Sequence, residues 1–208
     1  LFAASERETT MQILRVMAFV ILAIPCLMVL SGAVRLGTDF RRADRSSAGI
    51  APHPDETPEA VVHVYAARAL NWRGLFGVHT WIATKDENAP HYLIHQVIGW
   101  RVRRNLSGVV SATDVPDRKW FGNQPELLAD LRGPEAAQAI PKILQAVESY
   151  PYAHQYTLWP GPNSNTFTAY VVRHAPELRV ELPATAIGKD YPVNGNIVDK
   201  APSGSGVQ

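Results

Sequence analysis

Gly161-Pro162-Asn163-Ser164-Asn165-Thr166-Phe167 is the stretch on which the reading turns, together with Val78-His79-Thr80-Trp81-Ile82-Ala83 upstream. A Gly-Pro pair ends one element, and an asparagine side chain can cap the helix that follows. Ser164 then falls in the first helical turn, where backbone N–H groups and the helix dipole favour a developing negative charge. The segment around His79 alternates apolar and polar positions as a strand does, so it can present an imidazole from a rigid platform. A helix-borne hydroxyl and a strand-borne imidazole are the parts of a hydrolase or acyl-transfer site. The bland alternative is a helix cap of ordinary composition beside a structural histidine.

Downstream, Phe167, Tyr170, Val171 and His174 recur at helical spacing, so the helix runs from Ser164 to His174 and stops before Pro176. Upstream, Val61–Ala67, Gly77–Lys85 and Tyr92–Trp100 read as strands, with Val109-Val110 in a fourth. Pro125–Leu131 reads as a short helix closed by Gly133, and Pro134 opens a longer one with Ala136, Ile140, Ile143, Leu144 and Val147 on one face. A kink or restart is expected at Pro141, and Tyr152–Trp159 returns to a strand-like pattern. The expected fold is α+β: an antiparallel sheet of about four to six strands packed on helices.

The N-terminal third reads differently. Val16–Val34 carries no charge and is bounded by Arg15 and Arg35. That approaches the roughly 20 apolar residues needed to cross a bilayer. It is read as a transmembrane anchor, with a signal segment cleaved near Ser31-Gly32-Ala33 as the alternative. The expected layout is a polar leader at 1–15, the span at 16–34 and a polar tether at 35–58. A globular domain at 59–191 and a mobile tail at 192–208 complete it. The tether is expected to run along the domain or between membrane and domain. Arg35, Arg41, Arg42 and Arg45 follow the span, which by the positive-inside count would hold the domain in the cytoplasm. The short N-terminal flank and the likeness to an export signal oppose that count. The expectation is a single-pass protein of the inner (cytoplasmic) membrane with a periplasmic domain.

Composition removes several classes. Twenty Lys and Arg balance nineteen Asp and Glu, so no global basic field points to nucleic acid. The one cysteine, Cys26, lies in the apolar run and suits neither a disulfide within the chain nor a catalytic thiol. Seven histidines are present without a ligand pattern of metal-site spacing, so neither metal nor cofactor is expected.

Serine attack needs a base and a group that orients it. His79 is the candidate base, and His95 or Gln96 on the next strand the candidate orienter. The two point to opposite faces, so only one can serve. Asn163, with nearby N–H groups and Asn165, is the candidate holder of an oxyanion or ligand. His63, His154 and His174 read as structural, His91 as solvated and His53 as part of the tether; Lys189 and Asp190 are possible cleft borders.

Four segments carry a resemblance: His79-Thr80-Trp81-Ile82, Trp120-Phe121-Gly122-Asn123, Trp159 to Phe167, and Ile187-Gly188-Lys189-Asp190-Tyr191. Through them Ala60–Tyr191 resembles the uncharacterised bacterial domain-of-unknown-function family 3750, which brings no known activity. The order of strand histidine, polar residue on the next strand and Asn-nucleophile at a helix start is also similar to permuted NlpC/P60 (papain-like) proteins. Their relatives include lipid acyltransferases with an Asn-Cys-Glu-His-Phe motif, which Asn163 and Phe167 match at its ends. That likeness implies His79 as base, His95 (or Gln96) as orienter and Ser164 as nucleophile, with serine replacing the family thiol. The expected function is therefore a membrane-anchored envelope hydrolase or acyltransferase acting on an amide or ester bond. Its substrate would be a cell-wall peptide or a lipid. A non-catalytic envelope-binding module using the same cleft is the alternative.

Overall fold

The computed structural model describes residues 2–193. Its elements are α1 (Phe2–Leu30), β1 (Val61–Arg68), β2 (Val78–Lys85), β3 (Leu93–Val97), α2 (Gly99–Val102), β4 (Val109–Thr113), β5 (Pro125–Arg132), α3 (Gly133–Glu148) and α4 (Ser164–His174). The five strands form one antiparallel sheet in the order β4-β3-β2-β1-β5. The architecture is α+β. Most of the expected tail, from position 194 onward, lies outside the described residues.

Both faces of the sheet are covered, and strand alternation sorts the side chains between them. Val62, Val64 and Ile82 pack with Val97 against Ala136, Ile140 and Ile143 of α3 and Phe167 and Val171 of α4. The opposite face carries Val61, Tyr65, Trp81, Ala83 and Ile94, and packs against Trp120 and Phe121. It also carries the segment expected as a tether, which runs along the domain as a strap. Ala43 and Ile50 pack on that core, the Tyr92 hydroxyl donates to the Pro52 carbonyl, and Ser47 bridges Arg118.

Asp117 holds the strap in place. Its carboxylate, on a residue only 1% exposed, accepts hydrogen bonds from the Ser47 hydroxyl and from the N–H groups of Ile50 and Ala51. Charge-assisted bonds of this kind are the strong ones.

Three sequence expectations need correction. Pro125–Arg132 is a strand, not a helix. The helix preference of Glu-Leu-Leu-Ala over bulkier residues is at most about 0.7 kcal/mol per residue. Pairing with the open edge of β1 supplies net hydrogen bonding of about 1 kcal/mol each, which outweighs it. A bulge between Val64 and Tyr65 absorbs the irregularity, pairing Val64 with Ala129 and Tyr65 with Leu127. Tyr152–Trp159 forms turns rather than a strand. Of the kink or restart expected at Pro141, the restart does not occur: α3 continues through the proline, which is on the exposed side together with the Ala137 carbonyl it leaves unbonded.

The apolar run belongs to α1, which takes in the expected leader and ends at Leu30 rather than at Val34. Gly32 adopts a positive φ of 74°, and the Val34 N–H turns back to the Met28 carbonyl, so Val34 is buried. Arg7–Leu30, with mean hydropathy 2.7 and no buried portion, is long and apolar enough to cross a membrane. It fits either an anchor or a signal sequence.

Asp117→Ala leaves two strap N–H groups and a serine hydroxyl without their acceptor. It is expected to lower domain stability by about 2–4 kcal/mol, by loss of bonds to a charged group and stranding of their donors. Thermal unfolding of the detergent-solubilised chain measures this. A change below about 0.5 kcal/mol, the range of a neutral surface substitution, would show that the strap is not held through Asp117.

Candidate functional site

Helix α4 begins in a capping box. Asn163 Oδ1 accepts from the N–H groups of Asn165 (2.9 Å) and Thr166 (3.3 Å), while Thr166 Oγ1 accepts from the Asn163 N–H (3.1 Å). The remaining amide atoms tie this turn to its surroundings. Asn163 Nδ2 donates to the carbonyls of Leu158 and Ile187. Asn165 Nδ2 donates to Val78 and Ile187, and its Oδ1 accepts from the Thr80 hydroxyl at 3.0 Å. The Thr166 hydroxyl donates to the Gly188 carbonyl at 2.7 Å. The Asn-Ser-Asn-Thr and Ile187-Gly188 motifs are thus two halves of one clamp, closed on the start of β2.

Gly188 is required there. Its φ is +89°, and a Cβ on it would lie 2.4 Å from Asn163 Nδ2.

Between the capping asparagine and its neighbours, Ser164 is buried and has a different status. Among the described residues neither its hydroxyl nor its N–H finds a hydrogen-bond partner, and its side chain borders a cavity of about 440 Å³. His79 borders the same cavity. No hydrogen bond joins the two residues. The cavity sits where pairing between β2 and β3 has stopped, since the ladder ends at Ile82 and His95. Val78, His79, Val97 and Ile98 line this unpaired end. That geometry lets a helix on one face and an imidazole on the other border a common space.

His79 Nε2 is 3.0 Å from Gln96 Oε1. An amide oxygen only accepts, so Nε2 carries the proton and Nδ1 keeps its lone pair. The ring lies flat on Trp120, with centroids 3.7 Å apart and planes at 12°. Burial pushes the imidazole down to about 4; the bond to Gln96 opposes this and the Arg118 charge adds to it. His79 is therefore neutral at pH 7, as a general base must be, though a weak one.

The orienting contact comes from Gln96 and not from His95. His95 faces the other side of the sheet, where Nε2 meets the Thr84 hydroxyl at 2.9 Å and Nδ1 meets Ser111 at 2.8 Å. Burial lowers its pKa to about 4 as well. Asn163 and Asn165 are likewise removed from the oxyanion role, because their amides are spent on the clamp. Among the described residues, the N–H left without a partner at this end of α4 is that of Ser164.

Lys189 and Asp190 pair with each other at 3.1 Å and border a separate, smaller cavity. His63 is fully buried between Tyr65 and Asp130, while His53, His91, His154 and His174 are exposed. Among the described residues no cluster of three or more His, Cys, Asp or Glu side chains is placed to hold a metal ion.

Sequence reasoning missed the aromatic surroundings. Trp120 forms the floor under His79, and Trp72, Phe76, Trp100, Phe121 and Trp159 contribute to the walls and rim. The signal available was the Trp-Phe-Gly-Asn motif at 120–123, which had no assigned place. Its turn is set by positive φ at Phe121 and Gly122, and Asn123 Nδ2 donates to the carbonyls of Arg68 and Trp120.

Taken together, these features define an α+β domain with a serine- and histidine-lined apolar cavity at the open end of an antiparallel sheet. Residues 59–191 match the family described as "Protein of unknown function (DUF3750)", and the chain belongs to that family. No curated protein and no solved structure gives a significant match.

Two measurements check this geometry. Gly188→Ala is expected to destabilise the domain by at least about 2 kcal/mol, since a left-handed alanine is strained and its Cβ displaces the Asn163 amide. Unfolding midpoints would show it, and a neutral outcome would mean the clamp is loose. The His79 ring should titrate near pH 4 by NMR instead of near 6.5. Its folded value lies below the unfolded one, so unfolding takes up a proton between these limits. Stability is then full above about pH 6.5 and falls as pH drops towards 4, by on the order of 3 kcal/mol for a shift of this size. A midpoint near 6.5 would mean the ring is solvated.

Proposed function

We propose that the chain is a membrane-associated hydrolase or acyltransferase that cleaves an amide or ester bond through Ser164 and His79. The observation that carries this reading is the shared cavity. It brings an unbonded serine hydroxyl and an imidazole with a free Nδ1 lone pair to the same space. Apo sites of this kind commonly have long nucleophile–base distances that close on substrate binding.

In the proposed reaction Ser164 Oγ bonds to the acyl carbon while its proton passes to His79 Nδ1. Negative charge on the carbonyl oxygen is held by the Ser164 N–H and the positive end of α4. The bond to the leaving oxygen or nitrogen then breaks, and His79 returns the proton to that group. Water, or an acceptor alcohol or amine, repeats the sequence on the acyl-serine and regenerates the hydroxyl. Gln96 holds the proton on Nε2 and so leaves the lone pair on Nδ1, and the Trp120 face offsets part of the charge on the transient imidazolium. Among the described residues no carboxylate backs the histidine, whose Nε2 meets Gln96 instead, so turnover is expected to be slow compared with a Ser-His-Asp site. The relation to permuted NlpC/P60 proteins is part of this proposal, as is a periplasmic domain anchored by α1 in the inner membrane.

A second reading has its own support. The missing Ser164–His79 hydrogen bond and the low basicity of His79 suit a cavity that binds an envelope ligand without reacting with it.

A fluorophosphonate probe separates the two. The catalytic reading expects covalent labelling of the wild-type chain at Ser164, abolished in Ser164→Ala. Gln96→Ala should slow it by about 10- to 100-fold, in the range of losing an orienting contact to a general base. The acid limb of the labelling rate should follow His79 and fall away only near pH 4. If Ser164 stays unmodified while the fold is intact, the binding module is the correct reading.

A further inference from the structure

The mouth of the Ser164–His79 cavity has an unusual surface. Trp72, Phe76, Trp100, Leu158 and Trp159 all border it, and they are 55%, 58%, 50%, 49% and 74% exposed. They come from three separate pieces of chain: the 3-10 turn Asn71–Leu75 with the residue after it, helix α2, and the loop before Gly161. Single exposed apolar residues are ordinary, but five large ones converging on one opening form a patch that water disfavours. Tryptophan in particular suits the boundary between water and hydrocarbon, having an apolar body and a polar N–H.

Charge is distributed in keeping with this. Arg73 and Arg103 border the same mouth and are both exposed; among the described residues neither is in an ion pair and no acidic residue lines the cavity. The Arg73 guanidinium lies over the Trp72 ring, 5.3 Å from its centroid. An anionic group approaching this rim meets two cations and no carboxylate.

With α1 as a membrane anchor, the chain itself would hold the rim near the bilayer. The Thr38 N–H donates to Asn71 Oδ1 at 2.8 Å, at the start of the turn that carries Trp72 and Arg73. From Leu30, where α1 ends, to Thr38 the backbone can extend at most about 29 Å. Arg45 lies over the Phe121 ring at 4.7 Å, beside the cavity wall. The segment leaving the candidate span is thus fastened to the edge of the cavity.

We infer that the aromatic rim seats on the bilayer surface and that the cavity receives an acyl chain of an anionic membrane phospholipid, its phosphate drawn to Arg73 and Arg103. Interior chemistry favours this ligand over a peptide. A peptide brings backbone N–H and C=O groups that need partners when buried. Leu70, Phe76, Ile98 and Phe121 supply none from their apolar side chains, and the amides of Asn163 and Asn165 are already committed. A hydrocarbon chain needs only apolar wall, and about 440 Å³ falls within the roughly 300–1,000 Å³ of small-molecule sites. Presenting the lipid ester to Ser164 rests on the catalytic reading above; occupancy of the cavity does not.

The test uses the full chain in nanodiscs of phosphatidylcholine, with and without phosphatidylglycerol carrying a diazirine at the end of one acyl chain. After irradiation, labelled peptides are mapped by mass spectrometry. Labelling is expected in the segments around Leu70–Phe76, Ile98–Arg103 and Phe121. Arg73→Gln with Arg103→Gln should reduce it by about five-fold per arginine, the usual contribution of a basic residue at an anionic surface. Trp72→Ser with Trp159→Ser, both at exposed positions, should also reduce it while near-ultraviolet circular dichroism reports an intact core. A diazirine-bearing phosphatidylcholine should label these segments less than the anionic lipid does.

Label confined to α1, insensitivity to both pairs of substitutions, or stronger capture of a diazirine-bearing cell-wall peptide would overturn the inference. The outcomes also separate it from the catalytic reading. Ser164→Ala should retain lipid labelling, so a lipid-labelled cavity with an unreactive Ser164 removes only the chemistry. A fluorophosphonate-reactive Ser164 beside an unlabelled cavity removes only the lipid.

Discussion

The hydrogen-bond clamp at the start of α4 is the constraint from which the site follows. Asn163, Asn165 and Thr166 spend their side chains on the carbonyls of Leu158, Val78, Ile187 and Gly188 and on the Thr80 hydroxyl. Buried amides of this kind are costly if left unpaired, so the arrangement is close to all-or-none. It locks the first turn of a helix against the beginning of a strand and leaves Ser164 as the residue of that turn without a structural duty. The same lock sets the distance between the helix terminus and His79, because Val78 and Thr80 flank the histidine on β2.

A sheet covered on both faces makes such a site possible. Helices α3 and α4 cover one side; the strap from Ala43 to Pro52 and the loop around Trp120 cover the other. His79 belongs to the second layer and α4 to the first, and they border one cavity only because β2–β3 pairing ends before the strands do. A fully laddered sheet would separate them. The aromatic stack of Trp81, His79 and Trp120 fills the second layer at that point and keeps water from the imidazole, which is why its proton affinity is low.

Low proton affinity shapes the chemistry available. A neutral imidazole with a fixed tautomer is ready to accept a proton, yet a buried imidazolium beside a neutral glutamine is poorly stabilised. In the proposed reaction such a site would suit an ester better than an amide, since a better leaving group demands less of the base. The apolar walls and aromatic rim are consistent with the proposed hydrocarbon-bearing acyl group. Under the two proposals, site electrostatics and surface composition each favour an ester of a hydrocarbon chain.

Local signals explain what could be read in advance. The Gly-Pro stop and Asn cap are determined within a few residues of chain, so Ser164–His174 was readable as a helix and Ser164 as its first residue. Alternation placed His79 on a strand, and the predicted opposite facing of His95 and Gln96 follows from the same period of two. Which of those two would meet His79 depends on the β2–β3 register, in which Ile82 lies opposite His95, and no local pattern encodes that. Pro125–Arg132 took its strand form from the vacant edge of β1, against its own helical preference. The strap owes its path to the single buried carboxylate of Asp117, about 66 to 70 residues distant in sequence from its partners. The chain alone thus determined where helices and strands begin, because capping, turns and periodicity are short-range. Tertiary structure alone decided which polar groups share a cavity, because that depends on how two layers close over one sheet.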